Sequence, residues 1–274
     1  MHLKSSFLFI LVFVYACSVV GLPLSDSHAA SSGTHPFSIH DMLAMDRLSD
    51  PQVSPDGKLI VFTLRTTDLE ADKGRTDLWL IGADGNNIRR FTSHPDGDFN
   101  PRWAPDGKSI LFISTRSESA QIWRIAVDGG EAQQVTELSL DVGNLLVSPD
   151  GKHIAFTMEV FPDCKTIADT KDRLDEISSR KATGRIYDQI FVRHWDTWKD
   201  GRRSHLFVMP IDGGDPVDLM WGMDADTPSK PFGGPEEITF TPDGGGLVFS
   251  ARDAGRSEPW STDFNLYSIP VDGS

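Results

Sequence analysis

Short apolar runs of strand length recur along this chain, and each one follows the triplet Pro-Asp-Gly. The four copies are SPDGKLIVFT from Ser54, APDGKSILFI from Ala104, SPDGKHIAFT from Ser148 and TPDGGGLVFS from Thr241. A second apolar run that ends in Asp-Gly follows each copy, beginning at Asp77, Gln121, His205 and Asn265. Because Pro fixes one turn angle and Gly tolerates the next, each unit predicts a turn followed by two strands of a β-meander.

The spacing of the repeats predicts a β-propeller. Pro55, Pro105 and Pro149 lie 50 and then 44 residues apart, which is the length of one propeller blade. The stretch between Asp-Gly and the next Pro-Asp-Gly has room for two more strands, such as NNIRRFT and FNPRWA, so each blade has four. The next interval, up to Pro242, is 93 residues. We place its excess in an insertion of the third blade over about residues 159–204.

The fold class is therefore all-β, a propeller of four-stranded blades with about four repeats and a partly helical insertion in the third blade. The last repeat departs from the pattern, because each earlier Asp-Gly is followed by a further strand, whereas the sequence ends at Ser274. We expect residues 37–274 to form an incomplete propeller, preceded by a linker at 30–36. A four-bladed propeller closed by an amino-terminal strand is the alternative.

Residues 1–29 have the pattern of a secretory signal peptide. A basic residue precedes an apolar run from Phe7 to Val20, and the small-residue site Ser27-His28-Ala29 follows. We expect cleavage after Ala29 and export to the periplasm or the exterior, with an uncleaved membrane anchor as the alternative. If Cys17 leaves with the signal peptide, Cys164 is the only cysteine and no internal disulfide forms.

The composition is that of a globular chain, with 274 residues, 39% hydrophobic content and a formal net charge of -14. This acidity argues against a nucleic-acid partner, because nucleic-acid binding requires a basic patch. Asp96, Asp98 and Asn100 alternate as in a calcium loop, but the glycine and the distant glutamate of that motif are absent. We expect no metal and no organic cofactor.

Three features together resemble a known family. They are the opening segment FSIHDMLAMDRLSDPQVSPDGKLIVF from Phe37, the SPDG repeat, and RHWDTWKDGRRSHLFV from Arg193 at the end of the insertion. These are similar to the amino-terminal propeller of the prolyl oligopeptidase family of serine peptidases, and most similar to its acylaminoacyl-peptidase and dipeptidyl-peptidase branch. The resemblance covers about residues 37–274. The SPDG repeat alone is shared with Tol-type periplasmic propellers.

The resemblance implies a function for the propeller. In the family, the propeller caps an α/β-hydrolase domain with a Ser-Asp-His triad and restricts the access of peptides to it. That domain needs a G-x-S-x-G nucleophile elbow, which the 274 residues do not contain. We therefore assign no catalytic residue here and expect this chain to gate short peptides to a hydrolase domain of the same protein. The alternative is a non-catalytic Tol-type propeller that binds a periplasmic protein.

The insertion carries the first group of candidate substrate-binding residues. Apolar residues among charged ones predict an amphipathic helix from Thr166 to Lys181. Beyond it lie a cation, a histidine, two large rings and a carboxylate, namely Arg193, His194, Trp195, Asp196 and Trp198. A carboxylate pairs with the amino terminus of a peptide, and rings supply apolar contact and cation-π attraction. Alternatively, the tryptophans pack the insertion onto its blade and Asp196 caps the following turn.

Glu236 and Glu237 form the second group. Dipeptidyl peptidases of the family hold the amino terminus of the substrate with paired glutamates, so the resemblance makes this pair a candidate for the same role. The local match is poor, because those glutamates lie on a helical insertion, whereas Glu236 and Glu237 directly precede the strand segment ITFTPDG. Solvent exposure at a tunnel rim is the alternative.

Overall fold

In a computed structural model of the protein, the structure describes residues 35–274. The predicted signal peptide and Cys17 lie outside these residues. The described residues up to Ser38 contain no helix or strand, and the fold is carried by the unit from Ile39 to Ser274. This unit begins with a short helix, α1 (Ile39–Ala44), in the opening segment.

Four antiparallel sheets of three or four strands follow one another in residues 35–274, and each of them is one blade. The first blade contains β1 (Arg47–Val53), β2 (Leu59–Asp68), β3 (Lys73–Gly82) and β4 (Arg89–Arg90). The second contains β5 (Asp98–Trp103), β6 (Ser109–Ser114), β7 (Gln121–Ala126) and β8 (Gln133–Gln134). In both, the strands pair in chain order, as a meander requires.

The third blade begins with β9 (Val142–Val147) and β10 (His153–Val160), and then the insertion interrupts it. The insertion contains α2 (Ile167–Ser179) and a hairpin of β11 (Arg193–His194) and β12 (Thr197–Trp198). The blade resumes with β13 (Arg203–Pro210) and β14 (Val217–Asp218). The fourth sheet has three strands in the described residues: β15 (Ile238–Phe240), β16 (Gly246–Ala251) and β17 (Asn265–Pro270). The predicted fold class, including the partly helical insertion in the third blade, is confirmed.

The Pro-Asp-Gly turns share one hydrogen-bonding scheme. In the first, Asp56 Oδ1 accepts from Ser54 Oγ at 2.7 Å and from Lys58 N at 3.1 Å. Gly57 has a φ of 73°, a left-handed conformation in which a side chain would be strained. The carboxylate accepts from the backbone N–H two residues on in the other copies too, at Asp106, Asp150 and Asp243. The repeated aspartates therefore hold the turns.

Apolar side chains fill the seams between neighbouring blades. Successive residues of a strand face opposite sides of the sheet, so the second and third blades each contribute to two seams. Fully buried or almost fully buried members are Leu78 and Phe112 in the first seam, Ile113 and Phe156 in the second, and Leu206 and Leu247 in the third. Each seam is therefore built from the runs that follow the Pro-Asp-Gly and precede the Asp-Gly turns.

Candidate functional site

Helix α2 fixes the first half of the insertion to its blade. Thr166 Oγ1 accepts from Asp169 N at 3.1 Å, and Asp169 Oδ2 accepts from Thr166 N at 2.9 Å, which is a complete capping box. Ile167 and Leu174 pack against the seam between the second and third blades. The amphipathic helix predicted for this segment therefore forms, with its apolar side facing the blade.

The second half of the insertion is the hairpin that carries the first candidate group. Arg193 pairs with Trp198 across it, and Trp195 and Asp196 lie in its turn. The Arg193 guanidinium lies 5.5 Å from the centroid of the Trp198 ring. The Trp195 side chain is 74% exposed and that of Trp198 is 53% exposed. The hairpin thus presents two rings, a cation and a carboxylate to solvent instead of burying the rings against the blade.

His194 differs from the other four candidates because it is half-buried. Its ring contacts that of Phe191, with the centroids 4.8 Å apart. Burial, assisted by the positive charge of Lys199, lowers the pKa of His194. The ring therefore stays neutral near neutral pH, and His194 adds no positive charge to the hairpin.

Glu236 and Glu237 lie in a 3-10 helix, Pro235–Glu237, directly before β15. Glu237 accepts hydrogen bonds from both Ser229 N and Ser229 Oγ at 2.8 Å, so its carboxylate holds the loop that precedes it. Glu236 is exposed. The two carboxylates therefore have different surroundings, and only that of Glu236 faces solvent freely.

Glu237 also occupies a repeated position, five residues before the proline of Pro-Asp-Gly. The other residues at this position are Asp50, Asn100 and Asn144, and all three have a positive φ. They link neighbouring blades: Asn100 Nδ2 donates to Asp50 Oδ2 at 2.9 Å, and Leu145 N donates to Asn100 Oδ1 at 2.7 Å. The position is structural in the first three blades. Glu237 differs from these three residues, because its carboxylate accepts hydrogen bonds from Ser229.

The two candidate groups meet through a residue that the sequence did not single out. The Phe232 ring lies edge-on to the Trp195 ring, with the centroids 6.1 Å apart. Phe232 belongs to the loop that leads to Glu236 and Glu237, and its side chain is 80% exposed. The contact therefore places the tip of the hairpin beside the glutamate loop. No local pattern marks Phe232, because the contact joins segments 37 residues apart.

A cleft of about 310 Å³ lies between the third and fourth blades, next to this contact. It is bounded by the start of β9, the end of β10 and the loop that carries Phe232. Its charged side chains are Asp141, Glu159 and Lys230, and Lys230 Nζ donates to Glu159 Oε2 at 2.7 Å. Both partners of this pair are half-exposed. The cleft therefore carries one more carboxylate than ammonium group, and Phe232 lies between two residues, Pro231 and Gly233, that line it.

A buried ion network holds the base of the insertion. Arg203, at the start of β13, donates to Asp224 at 2.7 Å, to Asp226 at 2.9 Å and to Glu258 at 2.9 Å. Lys199 Nζ lies 3.6 Å from the Glu258 carboxylate. The network therefore ties the hairpin base in the third blade to the β14–β15 connection and to the β16–β17 connection of the fourth.

The network keeps its groups charged. Burial acts to lower the pKa of Arg203, but its hydrogen bonds to Glu258 and Asp224 outweigh burial and leave that pKa raised. Burial likewise acts to raise the pKa of Asp226 and of Glu258. The positive charge of Lys230 nevertheless leaves the pKa of Asp226 lowered, and the hydrogen bond from Arg203 leaves the pKa of Glu258 lowered. The base of the insertion is therefore fixed by ionised groups at neutral pH.

No catalytic triad lies among residues 35–274. His205 is fully buried and bonds Asp218 at 2.9 Å and the carbonyl of Met223 at 3.0 Å. Ser204 precedes it but donates its hydroxyl to the Thr227 carbonyl, away from the imidazole. In the same residues no His, Cys, Asp or Glu cluster has the arrangement of a metal site, and no helix is long and apolar enough to cross a membrane.

The fold defines a β-propeller whose third blade carries an insertion. Residues 44–178 match the PD40 TolB beta propeller domain. Dipeptidyl-peptidase 5 of Porphyromonas endodontalis is 29% identical over 232 residues, which is 82% of this chain and 32% of that protein. The predicted resemblance to the amino-terminal propellers of peptidases is confirmed.

Solved structures have the same fold. Uncomplexed acylaminoacyl peptidase of Pyrococcus horikoshii aligns with a TM-score of 0.53 at 17% identity, over 82% of this chain and 31% of that one. TolB of Acinetobacter baumannii aligns with a TM-score of 0.50 at 21% identity, over 81% of this chain and 40% of that one. The chain spans about a third of the length of the curated relatives that it matches.

Proposed function

We propose that this chain is the propeller portion of an exported serine exopeptidase that resembles dipeptidyl and acylaminoacyl peptidases. In this proposal the propeller gates the access of short peptides to a hydrolase domain elsewhere in the same protein. The similarity to dipeptidyl-peptidase 5 supports the peptidase class. Export rests on the apolar run from Phe7 to Val20 and the small-residue site after it. The membrane is a partner only if that run stays uncleaved.

The observation that carries the proposal is the contact between Trp195 and Phe232, because it joins the hairpin to the glutamate loop beside an acidic cleft. In our proposal the end of a peptide lies along this junction. Its side chain contacts the two rings, and the carboxylate of Asp196 pairs with its free amino group. Glu236 is the second acidic candidate at this place, since Glu237 is engaged by Ser229.

The direct test is Asp196→Asn in the full-length protein that joins this propeller to its hydrolase domain. A charge-assisted hydrogen bond contributes about 1.5–3 kcal/mol, so we expect the KM of peptides with a free amino terminus to rise by about tenfold or more. The kcat should stay unchanged, and so should the KM of peptides with a blocked amino terminus. Steady-state kinetics on matched free and blocked peptides measure both.

Asp215→Asn is the matched control, because Asp215 is also an exposed aspartate of the same blade but lies in the β13–β14 connection, outside the insertion. It should leave both KM values unchanged. An equal KM for the parent protein and Asp196→Asn with both kinds of peptide would contradict the subsite. The gating role is tested separately, by comparing the hydrolysis of a short peptide with that of the same sequence within a folded protein.

The second candidate function is a non-catalytic Tol-type propeller that binds a periplasmic protein. The match of residues 44–178 to the TolB propeller domain favours it. Reading the gene beyond the codon for Ser274 separates the two proposals. A frame that continues into G-x-S-x-G, followed by an aspartate and a histidine, supports the peptidase. A frame that closes after a few more blades supports the binding propeller.

A further inference from the structure

The connection between helix α2 and the hairpin is the most exposed stretch of the described chain. Every residue from 175 to 186 is exposed, and no other run of exposed residues within 35–274 is as long. Residues 180–192 form no helix or strand, and Ile186 is 97% exposed. A side chain added at Gly184 would meet nothing within 4 Å. An approaching protein therefore finds this backbone unpaired and open.

Three exposed basic residues lie in this stretch, Arg180, Lys181 and Arg185, and Arg185 lies farthest from the end of helix α2. Arg180 is engaged at the helix end, where its guanidinium donates to Glu176 at 2.8 Å and its N–H donates to the Ile177 carbonyl. Within the part of the chain that the structure describes, Arg185 makes no hydrogen bond or ion pair. Its neighbours Gly184 and Ile186 are exposed as well.

Another exposed basic turn, the β2–β3 hairpin, is protected by its backbone. The β2–β3 hairpin carries Lys73 and Arg75, but Lys73 pairs with Asp68 in the ladder. Arg75 Nε also donates to Asp68 at 2.9 Å. Proteases cleave exposed loop tips whose backbone is not engaged in secondary structure. Of these two turns, only residues 181–186 offer a basic side chain on such a backbone.

The chain is anchored on the amino-terminal side of this stretch. Helix α2 has its capping box and its apolar contacts with the blade seam. The Arg173 guanidinium also donates two bonds to Asp163 at 2.8 Å and lies 4.5 Å from the centroid of the Phe161 ring. These contacts do not depend on the residues that follow the helix.

The chain is anchored on the carboxyl side as well. Arg256 Nη2 donates to the Asp188 carbonyl at 3.0 Å, and the rings of Tyr187 and Trp198 lie 5.9 Å apart. The hairpin base joins the ion network through Lys199 and Arg203. A break between residues 181 and 186 would therefore leave both halves of the insertion attached to the propeller.

We propose that the Arg185–Ile186 bond is a processing site for a trypsin-like protease specific for arginine. Hydrolysis breaks the C–N bond between these residues. Water supplies a hydroxyl to the Arg185 carbonyl carbon and a hydrogen to the Ile186 nitrogen. The product is a two-chain propeller in which helix α2 and the hairpin are no longer connected directly.

Limited digestion of the protein with trypsin tests the site, followed by intact mass and size-exclusion analysis of the products. We expect the first internal cut within residues 35–274 to fall after Arg185, and its two fragments to elute together at the parent volume. Arg185→Gln and Ile186→Pro should each slow this cut by at least about tenfold, because one removes the basic side chain and the other places proline after it. Both positions are exposed, so both variants should fold.

Lys181→Gln is the matched control, and the rate of cleavage after Arg185 should be unchanged in it. A first internal cut in the β2–β3 hairpin, or after Lys181 in the parent protein, would overturn the assignment. Fragments that separate, or that lose the circular dichroism of the parent, would overturn the claim of a stable two-chain form. These outcomes do not depend on peptide binding or on a hydrolase domain.

Discussion

The second and third blades both place an arginine where their two middle strands connect, but they use it differently. Arg116, in the short β6–β7 connection, donates two bonds of 2.7 Å to Asp98 of its own blade and lies over the Trp123 ring at 4.9 Å. Arg203 follows the long insertion and binds carboxylates from two other connections. The apolar seams thus hold neighbouring blades together, and ion pairs at the blade ends fix the connections between strands, including the insertion.

The largest expected effect on stability comes from a substitution in the seam between the second and third blades. Phe156 is fully buried between the second and third blades and stacks on Phe207, with the ring centroids 6.2 Å apart. Phe156→Ala removes that packing and leaves a cavity, so we expect a loss of about 3–5 kcal/mol in the free energy of unfolding. Urea denaturation measures it, and Phe232→Ala, at an exposed ring, is the control with little change. Equal stability of the two variants would contradict the role of the seams.

The next expected effect distinguishes the role of Arg203 from that of Arg116. Arg203→Met leaves Asp226 and Glu258 without their central partner, so we expect a loss of about 3 kcal/mol. Arg116→Met leaves the fully buried Asp98 unpaired and should also destabilise the protein. Only Arg203→Met should raise the hydrogen exchange of the hairpin amides. Faster hairpin exchange in both variants, or in neither, would show that Arg203 has no special part in fixing the insertion.

The smallest expected effect concerns the capping box of α2. Thr166→Ala removes the side chain that accepts from Asp169 N, so unfolding should become easier by about 1 kcal/mol. Thr183→Ala, at an exposed position of the connection, should change stability by less than about 0.5 kcal/mol. Thermal denaturation of both variants measures the difference. Because the cap lies outside the ion network, the loss should add to that of Arg203→Met, and a coupled loss would link the two halves of the insertion.

The sequence allowed us to predict the blades and the helix, because both depend on local patterns. The Pro-Asp-Gly turns need only residues close together in the chain, and the spacing of Ile167 and Leu174 marks the apolar side of α2. The interaction that links Arg203 to Glu258 joins residues 55 positions apart and follows no period. The same is true of the contact between Phe232 and Trp195. These residues acquire their roles only when the blades pack together.

One missed feature did have a signal in the sequence. Asp50, Asn100 and Asn144 recur five residues before the proline of each Pro-Asp-Gly turn, and Glu237 takes the fourth position. Side chains of the Asp and Asn kind tolerate a positive φ, so their recurrence indicates a shared backbone bulge. Aligning the repeats places Glu237 at this position, although Glu237 does not share the positive φ of the other three residues. The same alignment distinguishes Glu237 from Glu236, which has no counterpart in the series.

The ion network at the base of the insertion affects how strongly the protein attracts a charged ligand from a distance. It combines four cationic and four anionic side chains: Lys199, Arg203, Lys230 and Arg252, with Glu159, Asp224, Asp226 and Glu258. It therefore contributes nothing to the net charge of -14. The attraction of a distant cationic ligand comes from the rest of the surface and weakens with added salt. The buried contacts that fix the hairpin are screened much less, so ionic strength should alter the rate of encounter while the hairpin keeps its position.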